Sequence, residues 1–283
     1  MKTGLIMEGG AMRGMFTAGV TDVFMENNIE FDGAIGVSAG ACFGCNYKSK
    51  QIGRTIRYNK KYCKDPRYVS FRSLIKTGDI YGVDFCYRML PDELDVFDVK
   101  TFQNNPMEFY VVATDVVNGT PVYHKCELGN GIDLQWLRAS AAMPMLSKNV
   151  KIDDYLLSDG GTADSIPIKY FESIGYNKNV VILTQPKGYI KKVTRFLPVM
   201  KIALRKYPKF LETIKNRPNI YNETIKYIEE KEEKGELLVI RPESDLNIGA
   251  VEHDENELER VYQIGRKVGE KYLENVKNYF KKE

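Results

Sequence analysis

The first fifty residues leave little freedom to the fold. "KTGLIMEGGAMRG" joins a short apolar run, residues 3–7, to a loop with glycine at positions 9, 10 and 14. From Met12 onward, Met15, Phe16, Val20, Val23 and Phe24 recur at three- and four-residue spacing, which predicts an amphipathic helix ending near Asn27 or Asn28. "FDGAIGV" then reads as a second strand and "AGACFGCNYKS" as a helix opened by small residues. Strand, glycine-rich loop, helix, strand, sharp turn, helix is the order of an α/β chain, with a parallel sheet and helices packed on it.

The rest of the chain extends this pattern. Between 50 and 105, "TIRYNKKYCKD", "FRSLIKTG" and "VDFCYRML" read as short helices, an insertion covering one end of the sheet. Residues 108–116 and 120–125 are strands joined by Asn118-Gly119, the strongest short-range hairpin signal. Residues 133–143 predict a helix stopped before Pro144, followed by a strand or hairpin in "VKIDDYLLSDGG". "PIKYFESIG" is a short helix and "NVVILT" (179–184) a buried strand. A strand at 236–240 precedes a long helix from about Glu257 that carries Leu258, Val261, Tyr262, Val268, Tyr272, Leu273, Val276, Tyr279 and Phe280 on one face. No linker or repeat divides the chain, so residues 1–283 are expected to form a single domain.

Several function classes are disfavoured at this level. A formal charge of +3 is too small to argue for nucleic acid. No run of about 18 apolar residues exists for a spanning helix, and the short apolar start meets Glu8 too soon for a signal peptide. The five cysteines, Cys42, Cys45, Cys63, Cys86 and Cys126, form no repeated framework, so reduced thiols in a cytoplasmic protein, without a metal site, are expected.

Three clusters carry chemistry. Gly36-Val37-Ser38-Ala39-Gly40 places a serine at a strand-to-helix corner, the context a nucleophile elbow requires. Gly9 to Gly14, "GGAMRG", leaves backbone N–H groups uncovered for an anion, either a nucleotide phosphate or the oxyanion of an ester in hydrolysis. Dinucleotide binding wants GxGxxG and an acid at the end of the second strand. Here Ala11 takes the middle position, and Asp32 and Glu30 lie at that strand's start. Asp159-Gly160-Gly161 is either a hairpin turn or a general base on a turn. Of the two histidines, His124 falls in the predicted hairpin and His253 in an acidic loop, neither with a catalytic signature.

Together these clusters resemble the patatin-like phospholipase family, whose motifs are a glycine-rich oxyanion loop with a basic residue, a GxSxG elbow, and Asp-Gly-Gly or Asp-Gly-Ala. "GGAMRG", "GVSAG" and "DGG" occur here in that order, and "ASAAMP" (139–144) and "DSIPIKY" (164–170) are similar to family sequence too. The likeness covers about residues 1–185. Beyond that, 186–283 is read as a basic helical segment, one strand and a long helix packed on the core.

The resemblance implies a three-layer α/β sandwich with helices on both faces of a mostly parallel sheet. It implies a serine acyl hydrolase of lipid esters that needs no cofactor, with Ser38 as nucleophile and Asp159 as base. Backbone N–H groups of Gly9, Gly10 and Ala11, with Ala39, would hold the oxyanion. Arg13 would set the loop that Gly14 closes, and Gly36, Gly40, Gly160 and Gly161 complete the motifs. Ala11 departs from the family's third glycine, which restricts the backbone if that position needs positive φ. An acyltransferase on the same dyad, and a catalytically weak lipid binder, are the alternatives. Between 187 and 217 the sequence carries ten Lys or Arg against one acid, Glu212, interleaved with Ile190, Val193, Phe196, Leu197, Val199 and Met200. That segment is read either as a solvated helical face or as a peripheral contact with an anionic membrane.

Overall fold

Successive side chains of the buried strands point to opposite faces, and that alternation decides how the sheet is covered. The computed structural model describes residues 1–281. Among these, β1 (Lys2–Met7), β2 (Gly33–Val37), β3 (Glu108–Asp115), β4 (Thr120–Cys126), β5 (Val150–Ile152), β6 (Tyr155–Asp159), β7 (Tyr176–Ile182) and β8 (Leu238–Ile240) form one eight-stranded sheet. The helices are α1 (Gly14–Glu26), α2 (Ala39–Lys48), α3 (Arg54–Tyr62), α4 (Phe71–Thr77), α5 (Val99–Asn104), α6 (Ile132–Ser140), α7 (Ile168–Ser173), α8 (Leu197–Ala203), α9 (Pro208–Glu233) and α10 (Glu255–Lys281).

Leu5, Met7, Val111, Val180 and Ile182 face one side, packed with Phe16 and Phe24 of α1 and Val261 and Val268 of α10. Ile6, Ile35, Val37, Val112 and Val181 face the other, against Phe171 of α7 and Tyr221 and Ile228 of α9. The result is the expected three-layer α/β sandwich. Each of these large side chains contributes about 1.5–3 kcal/mol by leaving water. Strands covered on both faces need apolar residues at successive positions, which is why residues 5–7 of β1, 34–37 of β2 and 180–182 of β7 show no polar alternation.

Along the sheet the order is β5-β6-β3-β2-β1-β7-β8, with β4 also on β3. The pairs β3–β2, β2–β1, β1–β7 and β7–β8 are parallel. Strand β3 is longer than its neighbour β2, and this determines where the site lies. One edge of β3 carries β4 from Phe109 to Asp115. On the other edge β2 runs parallel, with Val37 opposite Val112, and β6 runs antiparallel, with Asp159 opposite Ala113. Strands β2 and β6 therefore point at each other along one edge and end on consecutive positions of β3. Ser38 follows Val37 at that meeting point.

Four expectations need correction. The helix predicted over 133–143 ends at Ser140, and the chain turns through Ala141 and Ala142 well before Pro144. Asp159-Gly160 is not a hairpin turn, because β6 passes into a short 3₁₀ turn over Gly160–Thr162. The buried strand over 179–184 starts three residues earlier, at Tyr176, and ends at Ile182. The basic segment is only partly helical. Residues 187–196 have no helix, α8 is short, and α9 runs on through Pro218 to Glu233.

Candidate active site

Three strand ends supply the floor of the site: Glu8-Gly9-Gly10 after β1, Ser38 after β2, and Thr184 after β7. Open parallel sheets bind ligands at these C-terminal ends. Ser38 sits between β2 and α2 with φ 53° and ψ −120°. That conformation is disfavoured for a residue with a Cβ and costs on the order of 1–3 kcal/mol. The surroundings hold it in place. The Ala41 and Cys42 N–H groups donate to the Ser38 carbonyl at 3.0 Å, and the Ser38 N–H donates to Ser140 Oγ at 2.8 Å. Close approach explains the flanking glycines. A methyl at Gly36 would strike the Gly40 carbonyl and the Ala41 backbone, and one at Gly40 would strike the Met7 and Glu8 carbonyls.

The hydroxyl of Ser38 donates to Asp159 Oδ2 at 2.7 Å. The other carboxylate oxygen accepts the Gly161 N–H at 2.7 Å. The Asp159 backbone is pinned by its own N–H to Ala142 O and by the Thr114 hydroxyl to its carbonyl, each at 2.8 Å. Burial pushes the Asp159 carboxyl above its ordinary range, opposed by the Ser38 hydroxyl, the Arg217 charge, the Gly161 N–H and the Lys191 charge. A carboxylate made more basic in this way is a better proton acceptor than one in water.

The glycine-rich loop lies against this pair. Gly9 packs on the Val37 carbonyl and Ser38 Cβ. Among the described residues, the Gly9 and Gly10 N–H groups have no protein acceptor. Ala39 opens α2, so its N–H has no partner within the helix either. Ala11 does adopt positive φ, 48°, the conformation for which glycine is suited. Gly14 opens α1 against Ala39 and Phe43, and Gly160 packs on the Val112 carbonyl. Beneath the loop, the buried Glu8 carboxylate accepts the Thr184 N–H at 2.6 Å, the Thr184 hydroxyl at 3.1 Å and the Tyr221 hydroxyl at 2.8 Å. These bonds tie β1 to the end of β7 and to α9.

Two cavities meet at Ser38. One, about 130 Å³, is largely apolar and runs under the 50–105 insertion, past Cys42, Phe43, Tyr87, Leu90, Phe97 and Leu137. The other, about 370 Å³, lies beside Asp159 and the glycine loop and is lined by Arg13, Tyr189, Lys191, Lys192, Thr194 and Arg217. The histidines are engaged elsewhere. His124 Nε2 is 3.0 Å from Asp133 Oδ1 with its ring stacked on Trp136, and His253 Nδ1 is 2.6 Å from the Cys63 carbonyl. His124, Cys126 and Asp133 do place donor atoms within 4.8 Å of one another. However, Asp133 Oδ2 already accepts the Leu128 and Gly129 N–H groups.

Ser140, Glu8, Tyr221, Lys191 and Arg217 were not singled out by sequence. Ser140 lies within "ASAAMP", but nothing local in that stretch marks its hydroxyl as the acceptor for the Ser38 N–H. Lys191 and Arg217 were visible only as two of ten cations in a basic segment.

A family model described as Patatin-like phospholipase matches residues 5–172, and a second, a domain of unknown function (DUF6363), matches 207–281, the stretch of α9, β8 and α10. The uncharacterized protein YjjU of Escherichia coli is 26% identical over 96% of this chain and 77% of its own length. Lysophospholipase nte1 of Aspergillus terreus is 23% identical over 97% of this chain, which spans only 18% of that protein. VipD from Legionella pneumophila aligns in structure with a TM-score of 0.48 and 13% identity, covering 97% of this chain and 67% of that one.

Proposed function

The chain belongs to the patatin-like phospholipase family, and from that premise we propose that it is a serine acyl hydrolase of lipid esters working through a Ser38–Asp159 dyad. The observation that carries this reading is the 2.7 Å hydrogen bond from a serine on a strained strand-to-helix corner to a buried carboxylate. Asp159 takes the hydroxyl proton as Ser38 Oγ attacks the ester carbonyl. The developing oxyanion falls toward the free N–H groups of Gly9 and Gly10, joined by Ala39 at the start of α2. Collapse expels the alcohol, which carries away the proton from Asp159, and leaves an acyl group on Ser38. Water then attacks the acyl-enzyme with Asp159 again as base, releasing the acid and restoring the serine.

The apolar chamber is suited to the acyl chain. At about 130 Å³ it is close to a volume that holds a benzene ring, so the first several carbons fit without movement. An ester series of increasing chain length reads this directly. Supplying an alcohol acceptor separates hydrolysis from acyl transfer on the same acyl-enzyme.

Peripheral docking on an anionic membrane is supported by one further observation. Ile190, Phe196 and Ile202 are 67%, 56% and 74% exposed, among Lys192, Arg195 and Lys201, next to the mouth of the cationic cavity. An apolar-and-basic rim of this kind fits a lipid interface.

The test of the central reading is active-site labelling. A fluorophosphonate should label the wild-type protein, and Ser38→Ala should abolish both labelling and ester hydrolysis. Labelling of a folded Ser38→Ala protein at the wild-type rate would refute the assignment.

A further inference from the structure

The cavity beside Asp159 holds more positive charge than its own carboxylates can answer. Arg13 enters from the glycine loop, Lys191 from the segment after β7, and Arg217 from α9. Among the described residues, neither the Arg13 nor the Arg217 side chain forms an ion pair or donates a hydrogen bond, and the Nε of each is buried without a partner. Lys191 lies with its Nζ 4.1 Å from the centre of the Tyr221 ring and is in no ion pair. The Nη2 of Arg217 reaches to 3.3 Å from where a Cβ on Gly161 would stand, two residues from Asp159. The two nearby carboxylates are already committed, Glu8 to Thr184 and Tyr221, and Asp159 to Ser38 and Gly161.

Both arginines are half-buried, and a donor such as their Nε, buried without an acceptor, costs free energy. Three cations from three separate segments, unpaired and lining one cavity, make a site for a multivalent oxygen anion. Arginine in particular offers the fork geometry that phosphate matches. This cavity and the apolar chamber both reach Ser38, with otherwise largely different linings. An ester whose carbonyl sits at Ser38 and whose acyl chain enters the chamber therefore directs its alcohol portion toward Arg13, Lys191 and Arg217.

Resting on the serine-hydrolase reading above, we infer that Arg13, Lys191 and Arg217 form a subsite for the phosphate of a monoacyl phospholipid headgroup and select such esters over neutral ones. Arg13 lies inside the stretch matched by the patatin-like model and Lys191 and Arg217 lie outside it, so two of the three cations are supplied by the C-terminal part of the chain.

The experiment compares 1-octanoylglycerol 3-phosphate with 1-octanoylglycerol, which present the same ester and differ only in the phosphate. In wild-type protein kcat/KM should favour the phosphate ester. In Arg217→Gln and in Lys191→Met the ratio of the two kcat/KM values should fall roughly ten- to a hundredfold, the loss that goes with one charge-assisted hydrogen bond. A cation acting only on the electrostatics of Asp159 would change both esters alike and leave the ratio still. A ratio within threefold of wild type in both variants, with folding confirmed by thermal melts, overturns the subsite while leaving the serine reading intact. If wild type hydrolyses neither ester, the serine reading fails. The subsite is then decided by calorimetric binding of 1-octanoylglycerol 3-phosphate to the Ser38→Ala protein, where a tenfold weaker Kd on adding Arg217→Gln supports it and an unchanged Kd refutes it. Inorganic phosphate should compete with the phosphate ester. Phosphate binding that depends on Arg217 while the ester ratio does not would mean a free-anion site, and would overturn the headgroup assignment.

Discussion

Replacing Asp159 by asparagine should move activity and stability in opposite directions. Asparagine is nearly isosteric, and its Oδ1 can still accept the Gly161 N–H now bonded at 2.7 Å. That orientation turns the amide NH₂ toward Ser38 Oγ, where the carboxylate had accepted the hydroxyl proton at 2.7 Å. The serine becomes an acceptor facing a donor, and nothing remains to take its proton. Loss of a positioned general base typically costs 10²- to 10⁴-fold, or about 2.7–5.5 kcal/mol of barrier at 1.36 kcal/mol per decade. The loss should fall on kcat, because a nearly isosteric asparagine leaves the shape of the cavity that Asp159 lines almost unchanged.

Stability runs the other way because the Asp159 carboxyl is buried and its pKa is raised above 3.8 in the folded chain. Between the unfolded and folded values the native state holds a proton that the unfolded state has released, so stability falls as pH rises through that window. Above the folded value the full penalty of the buried charge is present, and at neutral pH asparagine removes it. Denaturant unfolding should find Asp159→Asn at least as stable as wild type at pH 7.5, with the difference closing as the pH drops below the unfolded value. Steady-state hydrolysis of a 4-nitrophenyl ester reads the activity. His124→Ala and His253→Ala serve as controls and should retain turnover. An Asp159→Asn protein with more than a tenth of wild-type kcat, or a folded histidine variant with the large loss instead, would defeat the dyad.

Two further outcomes are expected. Ala11→Gly relieves a positive φ of 48° that costs an L-residue about 1–2 kcal/mol, against the larger chain entropy of glycine. Unfolding should show a gain of about 0.5–1 kcal/mol with kcat/KM preserved, and a destabilised variant would mean that the loop is not strained at this position. Phe196→Asp should reduce co-sedimentation with vesicles rich in anionic lipid by about tenfold or more, since burying a phenylalanine contributes roughly 1.5–3 kcal/mol. The wild-type binding should also weaken with added salt. Binding indifferent to both salt and Phe196→Asp would remove this rim from the membrane reading.

Local chemistry explains what was legible in the sequence. The strands at 3–7 and 33–37, the corner at Ser38 and the helices after both loops depend on neighbours within a few residues, and glycine and apolar spacing report on those neighbours directly. The meeting of Ser38 with Asp159 has no local signal. It follows from β3 being long enough to carry β2 and β6 end to end on one edge, a property of register between segments more than a hundred residues apart. A helical segment is expected here, but the extent of α9 is not marked in the sequence: Asn216-Arg217-Pro218-Asn219 has the composition of a breaker, yet the helix runs through it with Pro218 buried. That run places Arg217 on the cavity wall next to Gly161 instead of in a solvated loop. In the sequence Arg217 is one cation among ten, and its charge alone argues only for water. What distinguishes it is that the carboxylates near it, Asp159 and Glu8, are bonded to other groups, and only the fold decides which groups those are.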